Sequence, residues 1–441
     1  MAAITPPPKR VSIIGFGRIG LAQGILWATR GGWDVLGCDI SQAYCDAIND
    51  RSLRSAEPEL EAMLRATPAN MLRATTSLDE ALAHAKLCFI VVATGCRRQK
   101  GYDLSTVRRL LCEINERRVG PNLHVVLSCT VLPNFIAKHA RYLLRDCPGV
   151  VITYHPQTIA QGSIIRDLLR PAIVLIGAST EEAGDAIEQL VVAVAENEPK
   201  VHRMTPESME IAKLSLNCFI TMKIAFANMV GDVADATPGA DKVAILACIG
   251  DDRRVGALGL RPGYGFGGSC FPRDNYALAA YLDEKHVDAS LPRATDAANK
   301  FHAKNMTERV LAEAAAADAA RGADADRADA DRADADRAGA STAEKAGGGG
   351  CGGSRGDRFL RPLSRVANNI WLDVRQQPAS VVMEGVTYKP GIPQIANSQP
   401  LAVAEAVARA GRRVVLRDRE SVLKMVAMRF SDMFEYEHVA S

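Results

Sequence analysis

The run 263–274, G-Y-G-F-G-G-S-C-F-P-R-D, combines glycines, a thiol and a carboxylate at a spacing that suits covalent chemistry. Four glycines lie within six residues, and a backbone without side chains can bring its N–H groups close to a ligand. They lead directly into Cys270, and Asp274 follows four residues later. Most such runs are a turn before a buried cysteine, but a glycine cradle that delivers one thiol also predicts nucleophilic catalysis on a phosphate-bearing substrate.

A second glycine run, G-F-G-R-I-G, follows a short apolar strand and opens a helix. The next strand, Asp34–Cys38, ends at Asp39, nineteen residues beyond Gly20. This order of strand, turn, helix, strand and acid is typical of a dinucleotide site. Gly15 allows the tight turn, Gly17 lets the pyrophosphate approach the helix N-terminus, and Gly20 lets the helix pack on the strand. Asp39 would bind the adenosine ribose. Because a carboxylate repels a 2′-phosphate, NAD is favoured over NADP. The predicted cofactor contacts here are Gly15, Phe16, Gly17, Arg18, Ile19, Gly20 and Asp39.

The elements that position these motifs have the pattern of a doubly wound sheet. The runs 87–93, 124–127, 150–153 and 172–176 are continuously apolar, which indicates parallel strands buried on both faces. From 205 to about 236 the pattern becomes a long helix, opened by a threonine cap and a proline. Lys213 and Asn217 share one face of this helix. The apolar run 219–229 indicates that the helix is largely buried, and a lysine in a buried helix indicates a functional role.

Composition limits the possible functions. A chain of 441 residues predicts two or three domains, and a formal charge of +2 without a basic stripe argues against nucleic acid as a partner. The eleven cysteines show neither C-x-x-C pairs nor metal spacing, so we expect a reducing compartment and no metal. Neither a signal peptide nor a run of about eighteen apolar residues occurs, which predicts a cytoplasmic protein without a membrane span.

Residues from about 314 to 357 have a different composition. Three tandem A-D-A-D-R units at 323–337 precede G-G-G-G-C-G-G-S. Alternating charge allows a transient helix but leaves nothing to bury, so we predict a disordered insertion in which Cys351 has no role. Order resumes with a strand at 380–386, a helix at 400–410 and a strand at 413–416, the start of a second α/β domain of about two strands.

These pieces, in this order, resemble the UDP-glucose/GDP-mannose dehydrogenase family from 11 to about 418. The resemblance also rests on E-P-E-L at 57–60, the Thr130-Val131 pair, M-T-P-E-S-M-E-I-A-K-L-S-L-N, D-D-R-R-V-G and Tyr388-Lys389-Pro390. G-F-G-R-I-G and the S-C-T at 128–130 are also similar to glyceraldehyde-3-phosphate dehydrogenase. That alternative leaves the cysteine loop and the Lys213 helix unexplained.

The resemblance implies an α/β fold in four segments. An N-terminal Rossmann NAD-binding domain (1–200) precedes a central helical dimerisation domain with the long helix and the cysteine loop (201–313). After the insertion (314–357) comes a truncated C-terminal α/β domain that binds the nucleotide sugar (358–441). The same resemblance implies a homodimer or a higher homo-oligomer.

Members of this family oxidise the C6 alcohol of a nucleotide sugar to a carboxylate with two NAD in succession. The resemblance implies that Cys270 forms a thiohemiacetal and then a thioester, that Lys213 and Asn217 stabilise the oxyanion, and that Asp274 positions a water. Thr130 would lie near the nicotinamide, and Arg254 would reach the partner's substrate across a dimer interface. The implied cofactor contacts further include Thr94, Thr130 and Gln161. The implied substrate contacts are Gln157, Lys213, Asn217, Arg254, Arg261, Tyr264, Gly267, Tyr388 and Lys389.

The chain departs from the family pattern in the H-P-Q-T-I-A-Q-G segment at 155–162. Gln157 and Gln161 stand where the family has glutamates, and position 157 is the residue that assists thioester hydrolysis. Ala396 stands near the place of a family arginine, and the C-terminal domain is short. The G-S-C form of the cysteine loop resembles the UDP-glucose and GDP-mannose branches of the family, and UDP-glucose is the predicted substrate. Two alternatives are left open: GDP-mannose, or a degenerate paralogue that binds NAD or a nucleotide sugar with impaired hydrolysis.

Overall fold

The computed structural model describes residues 9–97, 101–339, 363–367, 369–374 and 378–439. The chain groups into two compact units: unit 1 joins Met1–Met222 to Cys270–Thr295, and unit 2 joins Lys223–Ser269 to Asp296–Ser441. The division into four segments made from the sequence remains a prediction.

The strands and helices of both units are numbered in chain order. The strands are β1 (Arg10–Ile14), β2 (Asp34–Cys38), β3 (Leu72–Thr75), β4 (Leu87–Ile90), β5 (Gly95–Arg97), β6 (Gly101–Asp103), β7 (His124–Leu127), β8 (Val151–Tyr154), β9 (Ile173–Gly177), β10 (Lys200–Met204), β11 (Leu363–Ala367), β12 (Ile370–Asp373), β13 (Ser380–Glu384), β14 (Val414–Asp418) and β15 (Glu435–His438). The helices are α1 (Arg18–Thr29), α2 (Gln42–Asn49), α3 (Leu60–Ala66), α4 (Leu78–His84), α5 (Ser105–Glu116), α6 (Arg141–Leu143, continuing a π-helical turn at Ile136–Ala140), α7 (Ile164–Leu169), α8 (Glu181–Val192), α9 (Pro206–Asp235), α10 (Lys242–Asp251), α11 (Phe271–Glu284), α12 (Ser290–Gly339), α13 (Gln399–Arg409) and α14 (Glu420–Phe430, followed by a 3₁₀ turn at Ser431–Met433).

Unit 1 is built on an eight-stranded sheet in the order β10-β9-β8-β7-β4-β1-β2-β3. Alternate residues of β4 enter different cores: Cys88 and Ile90 pack in one cluster, and Phe89 packs in another. A strand that is buried on both faces has no polar side to show, which is why the continuous apolar runs predicted these strands correctly. A separate antiparallel hairpin, β5–β6, follows β4.

The prediction that the run 172–176 joins the sheet in parallel is wrong. β9 pairs with β8 in antiparallel fashion through Gly177 and Tyr154, whereas β7 and β8 run parallel, as do β9 and β10. The connection between β8 and β9 contains only α7, a helix of six residues. Antiparallel neighbours need no crossover that returns the chain along the sheet, so a connection with one short helix is sufficient here.

α9 confirms the predicted long helix, and the Thr205 hydroxyl accepts the backbone N–H of Ser208 at its start. Within unit 1 this helix buries Glu210 and Lys213. Among the described residues, α9 is the one helix whose length and apolar composition would let it cross a membrane. Core helices of soluble proteins meet the same test.

Unit 2 contains a five-stranded sheet in the order β11-β12-β13-β14-β15, so the expectation of about two strands is wrong. β13 and β14 are parallel neighbours with buried residues, as their apolar runs indicated. β15 has the polar sequence E-Y-E-H and pairs with β14 on one side only. An edge strand of this kind carries no hydrophobic pattern from which it could be recognised.

α12 extends through most of the segment that was expected to be disordered. Ala314 is fully buried in the core of unit 2, and the Asp318 carboxylate accepts the backbone N–H of Ala379 at 2.7 Å and pairs with Arg412. Alanine has the highest helix propensity, and Asp329 pairs with Arg332 one turn away. Residues 314–339 are therefore helical, whereas 340–357, with Cys351, lie outside the described residues.

Candidate active site

The turn from β1 to α1 has the form that a dinucleotide site requires. Gly15 has a φ of 88°, and a Cβ on it would lie 2.7 Å from the Val91 carbonyl oxygen. A Cβ on Gly20 would lie 2.6 Å from the Gly15 oxygen, whereas a Cβ on Gly17 would meet nothing within 4 Å. Packing therefore requires glycine at 15 and 20, and open space beside Gly17 lets a phosphate approach the N-terminus of α1.

The other residues predicted at this site occupy different environments. Asp39 directly follows β2, and its carboxylate accepts the Ser41 backbone N–H at 3.2 Å. Arg18 is exposed and Ile19 is half-buried in the first turn of α1. The Phe16 ring is fully buried, and a Cβ on Gly37 would lie 2.0 Å from it. Phe16 can therefore offer a cofactor only its backbone, since its side chain belongs to the core.

Cys270 is exposed and precedes the first residue of α11. The Asp274 backbone N–H donates to the Cys270 carbonyl oxygen at 2.9 Å, so the thiol and the carboxylate belong to successive turns of one helix. Cys270 thus lies at the N-terminus of α11, where the backbone N–H groups of the first turn have no partner within the helix.

α9 presents Lys213 and Asn217 from one face, as the spacing of four residues predicted. Lys213 Nζ donates to the Gln157 carbonyl oxygen at 2.8 Å, and Asn217 Nδ2 donates to Asp274 Oδ2 at 2.6 Å. One face of the helix thus binds both the 155–162 loop and α11. The structure brings Lys213, Asn217 and Asp274 together with the backbone of Gln157.

The Lys213 ammonium is almost completely buried, with 6% of the residue exposed. Burial lowers the pKa of Lys213 below its ordinary value, while the Asp274 carboxylate and the Cys270 thiol act in the opposite direction. A cation held in a dry site beside a thiol and a carboxylate is well placed to stabilise an oxyanion that forms there.

The Asp274 carboxylate is fully buried and accepts hydrogen bonds from three side chains. Oδ1 accepts the Tyr102 hydroxyl at 2.8 Å and Arg273 Nε at 3.1 Å, and Oδ2 accepts Asn217. Arg273 Nη1 also donates to the carbonyl and hydroxyl oxygens of Thr94, at 2.8 and 3.1 Å. Thr94, one of the predicted cofactor contacts, is therefore connected to Asp274 through a single guanidinium group.

The 155–162 loop is anchored at both ends. Burial lowers the pKa of His155 to about 4, so its neutral ring can donate Nδ1–H to the Leu175 carbonyl oxygen at 2.8 Å. The buried Glu57 carboxylate accepts the backbone N–H groups of Gly162 and Ile164 at 3.0 and 2.8 Å. Between these anchors, Gln157 Nε2 donates to the His155 carbonyl oxygen at 3.1 Å.

Two further predicted residues lie near the ends of these elements in unit 1. Gln161 is half-buried in the 155–162 loop, and Thr130 is half-buried shortly after β7. Both loops follow strands of the large sheet, where the carboxyl ends of parallel strands form ligand sites.

In unit 2, the glycine loop at 263–269 differs from the predicted ligand cradle. Its backbone N–H groups bind residues of unit 2: Gly263 donates to Asn228, Gly265 to Gln399, Phe266 to Asn299, and Gly268 to the Ala396 carbonyl oxygen. A Cβ on Gly267 would lie 2.3 Å from the Asn397 carbonyl oxygen. Close packing requires glycine at 265, 267 and 268 but not at 263, and four N–H groups of the loop are already engaged.

The remaining predicted substrate contacts also lie in unit 2. The Tyr264 hydroxyl donates to Asn369 Oδ1 at 2.6 Å, and the Tyr388 ring packs against Gly268, whose Cβ would lie 2.9 Å from it. Lys389 is half-buried, and its carbonyl oxygen accepts the Thr387 hydroxyl. Arg261 and Arg254 are exposed, and Arg254 forms an ion pair with Asp252 two residues earlier.

Several residues that hold these groups were assigned no role in the sequence analysis. Tyr102 and Arg273 bind Asp274, Glu57 holds the 155–162 loop, and Asn299 and Gln399 hold the glycine loop. These residues contact partners that are distant in sequence or directly adjacent, so the spacing of residues within a motif does not reveal the contacts. Two of them had a local signal, because Arg273 directly precedes Asp274 and Glu57 begins the E-P-E-L run.

The described residues contain no group of three His, Cys, Asp or Glu side chains that could hold a metal ion. The nine cysteines whose side chains are described all lie outside disulfides.

Comparison with known proteins gives the family context. Residues 9–227 match the NAD binding domain of the UDP-glucose/GDP-mannose dehydrogenase family, and residues 207–301 match its central domain. UDP-glucose 6-dehydrogenase of Rickettsia felis is 27% identical over 301 residues, 68% of this chain and 66% of that protein. GDP-mannose 6-dehydrogenase of Pseudomonas aeruginosa is 30% identical over 291 residues, 63% of this chain and 66% of that protein. The matches thus span about two thirds of the length of these relatives.

Solved structures agree in fold. A UDP-glucose dehydrogenase from the archaeon Pyrobaculum islandicum superposes with a TM-score of 0.77 at 22% identity, over 100% of this chain and 88% of that one. At this identity the likeness concerns the fold alone.

Proposed function

This chain belongs to the UDP-glucose/GDP-mannose dehydrogenase family, and we propose that it oxidises the C6 hydroxyl of UDP-glucose to the carboxylate of UDP-glucuronate. The observation that carries the proposal is the network on α9 and α11. The Asp274 carboxylate lies one helical turn after the exposed Cys270 and accepts Asn217, and the buried Lys213 lies on the same face of α9 as Asn217.

NAD is the cofactor of the family's N-terminal domain, and the residues of this chain fit it. The open side of Gly17 would receive the pyrophosphate at the N-terminus of α1, and Asp39 at the end of β2 would bind the adenosine ribose. When bound, NAD accepts one hydride in each of two oxidations. The residues of the chain then bind and orient the substrate and stabilise the charge that develops at C6.

The first oxidation removes the hydroxyl proton and a hydride from C6 and leaves an aldehyde. Lys213 and Asn217 stabilise the negative charge that develops on the C6 oxygen, because both point donor groups from one face of α9. Asp274 accepts three side-chain hydrogen bonds, one of them from Asn217, and thereby orients that amide. The proton leaves to water.

The second oxidation proceeds on the cysteine. The Cys270 sulfur adds to the aldehyde carbon to form a thiohemiacetal, and loss of a second hydride and of the hydroxyl proton gives a thioester. Water then cleaves the bond between sulfur and carbon, which releases the acid and restores the thiol. One alcohol, two NAD and one water thus give one carboxylate and two NADH.

Two alternatives follow from specific features. The relatives include GDP-mannose 6-dehydrogenases as well as UDP-glucose 6-dehydrogenases, so GDP-mannose is the second candidate substrate. Gln157 and Gln161 are neutral amides, which favours a protein that binds NAD or a nucleotide sugar but hydrolyses the thioester slowly.

The experiment incubates the purified full chain with NAD and either UDP-glucose or GDP-mannose, and follows NADH absorbance together with the mass of the sugar product. We expect the uronic acid from UDP-glucose, and no acid from the Cys270→Ser variant, which still binds NAD because the dinucleotide turn is at 15–20. Acid formation by Cys270→Ser at the parental rate would overturn the cysteine mechanism. Absence of NADH with both sugars would overturn the proposed reaction.

We also propose a cytoplasmic homodimer that forms through α9. In unit 2 the side chains of Phe226, Met229 and Val233 are exposed and recur at helical spacing, which gives an apolar face without polar interruption. Arg254, on the loop after α10, is the proposed contact to the partner's substrate.

A further inference from the structure

Tyr102 lies on β6, in the hairpin that follows β4, and 5% of the residue is exposed. Its hydroxyl donates to Asp274 Oδ1 at 2.8 Å although the two residues are 172 positions apart in sequence. Gly101 allows this approach, because a Cβ there would lie 3.3 Å from the Ala277 Cα on α11 and its φ is +84°. The hairpin therefore packs against the helix that carries Asp274.

Tyr102, Arg273, Asp274 and Thr94 are connected by direct contacts. Arg273 stacks its guanidinium 4.7 Å from the centre of the Tyr102 ring, donates to Asp274 and binds Thr94. Burial raises the pKa of Tyr102 well above its ordinary value, and the negative charge of Asp274 raises it further. The phenol thus remains protonated and acts as a donor to the carboxylate.

We propose that Tyr102 is a positioning residue that acts through Asp274 in the reaction proposed above, on which this inference rests. With Tyr102 and Arg273 on Oδ1, the carboxylate plane is fixed and Oδ2 faces Asn217. Asn217 is then held in place for the C6 oxygen. Without the phenol hydroxyl, Oδ1 keeps only Arg273, and the carboxylate can rotate away from Asn217.

Replacement by phenylalanine separates this role from simple packing. Tyr102→Phe keeps the ring, its stacking with Arg273 and the fold of the hairpin, and removes only the hydroxyl. Because a hydrogen bond to a charged group is at stake, we expect kcat to fall on the order of 10-fold. KM for NAD and for the nucleotide sugar should change by less than about 2-fold, because the hydroxyl touches neither.

The matched control is Tyr142→Phe. Tyr142 is exposed on α6, away from the residues placed in the reaction, and its variant should keep the parental kcat. A Tyr102→Phe enzyme with parental kcat, or one that loses only affinity for substrate or thermal stability, would overturn the positioning role.

A second measurement does not require turnover. Iodoacetamide alkylation of Cys270 is followed by peptide mass spectrometry in the parent, Tyr102→Phe, Asp274→Asn and the double variant. The Asp274 carboxylate and the Cys270 thiol both interact electrostatically with the Lys213 ammonium, so a displaced carboxylate should change the alkylation rate by at least about 3-fold. Since Tyr102 acts through Asp274, Tyr102→Phe should add less than about 1.5-fold in the Asp274→Asn background.

The two measurements distinguish a failure of the proposed function from a failure of the proposed role of Tyr102. A parent that forms no NADH would defeat the proposed function, while the alkylation rates would still decide the role of Tyr102. Unchanged alkylation in Tyr102→Phe, or equal effects of this substitution with and without Asp274, would overturn the inference about Tyr102 itself.

Discussion

At the scale of single residues, the proposed reaction requires groups that support oxidation and a base that supports hydrolysis. Lys213, Asn217, Asp274 and Cys270 lie on two helices of one unit. Gln157, however, is an amide whose Nε2 donates to the His155 carbonyl oxygen. An amide can orient a water molecule but cannot take its proton.

We therefore predict that the thioester accumulates on Cys270. Mixing the protein with UDP-glucose and excess NAD in a stopped-flow instrument should give a fast burst of about two NADH per active site, followed by a slow phase. Gln157→Glu supplies a base and should accelerate the slow phase by up to about 10²–10⁴-fold, with the burst unchanged.

Gln189→Glu, at an exposed position of α8, is the control for the added charge and should behave like the parent. A linear progress curve in the parent, together with a Gln157→Glu variant that is no faster, would show that another group assists hydrolysis.

At the scale of secondary-structure elements, α12 is attached to the C-terminal sheet through Asp318. Burial acts against ionisation, yet hydrogen bonds from Arg412 and the Ala379 N–H lower the Asp318 pKa below its ordinary value. An acid whose pKa is lower in the folded state stabilises the fold at neutral pH, and this contribution disappears as the pH falls through the folded value.

Asp318→Asn should accordingly lower the free energy of unfolding by about 1 kcal/mol at pH 7, because the pair with Arg412 is partly exposed. The difference from the parent should shrink below about pH 4. Urea unfolding at both pH values measures it, with Asp324→Asn on the exposed part of α12 as control. A loss of stability that is equal at both pH values would contradict this account of Asp318.

The elements that could be predicted from the sequence are those whose residue pattern depends on their burial or on their backbone conformation. The first glycine turn, α9 and the apolar strands of the large sheet carry such patterns, and Lys213 and Asn217 were found because four residues make one helical turn. β15 and the repeat part of α12 could not be predicted in this way, since a polar edge strand and an exposed charged helix have no hydrophobic period. The packing of the glycine loop could not be predicted for a related reason: close packing and ligand approach both require glycine, and the contacts with Asn299 and Gln399 come from distant parts of the sequence.

At the scale of the whole molecule, the residues predicted to bind ligands are divided between the two units. Unit 1 holds the dinucleotide turn and the residues that bind Asp274, and unit 2 holds Tyr264, Gly267, Tyr388 and Lys389. Unit 2 also carries the apolar face of α9 formed by Phe226, Met229 and Val233. An exposed face of large apolar side chains is unfavourable in water, so covering it by a second copy would stabilise the protein.

We predict that the protein is a homodimer and that Phe226→Asp with Val233→Asp converts it to a monomer, because two charges would be buried without partners in an interface of about 1,600 Å². Size-exclusion chromatography with light scattering should give about twice the chain mass of 47.3 kDa for the parent and the single mass for the double variant. Met428→Asp, at an exposed apolar side chain on α14, is the control and should leave the dimer intact. A parent that stays monomeric at all concentrations, or a double variant that remains dimeric, would show that α9 does not form the interface.

If Arg254 reaches the partner's substrate, the monomeric variant should also lose activity with UDP-glucose while it keeps its affinity for NAD, since the dinucleotide turn lies within one chain.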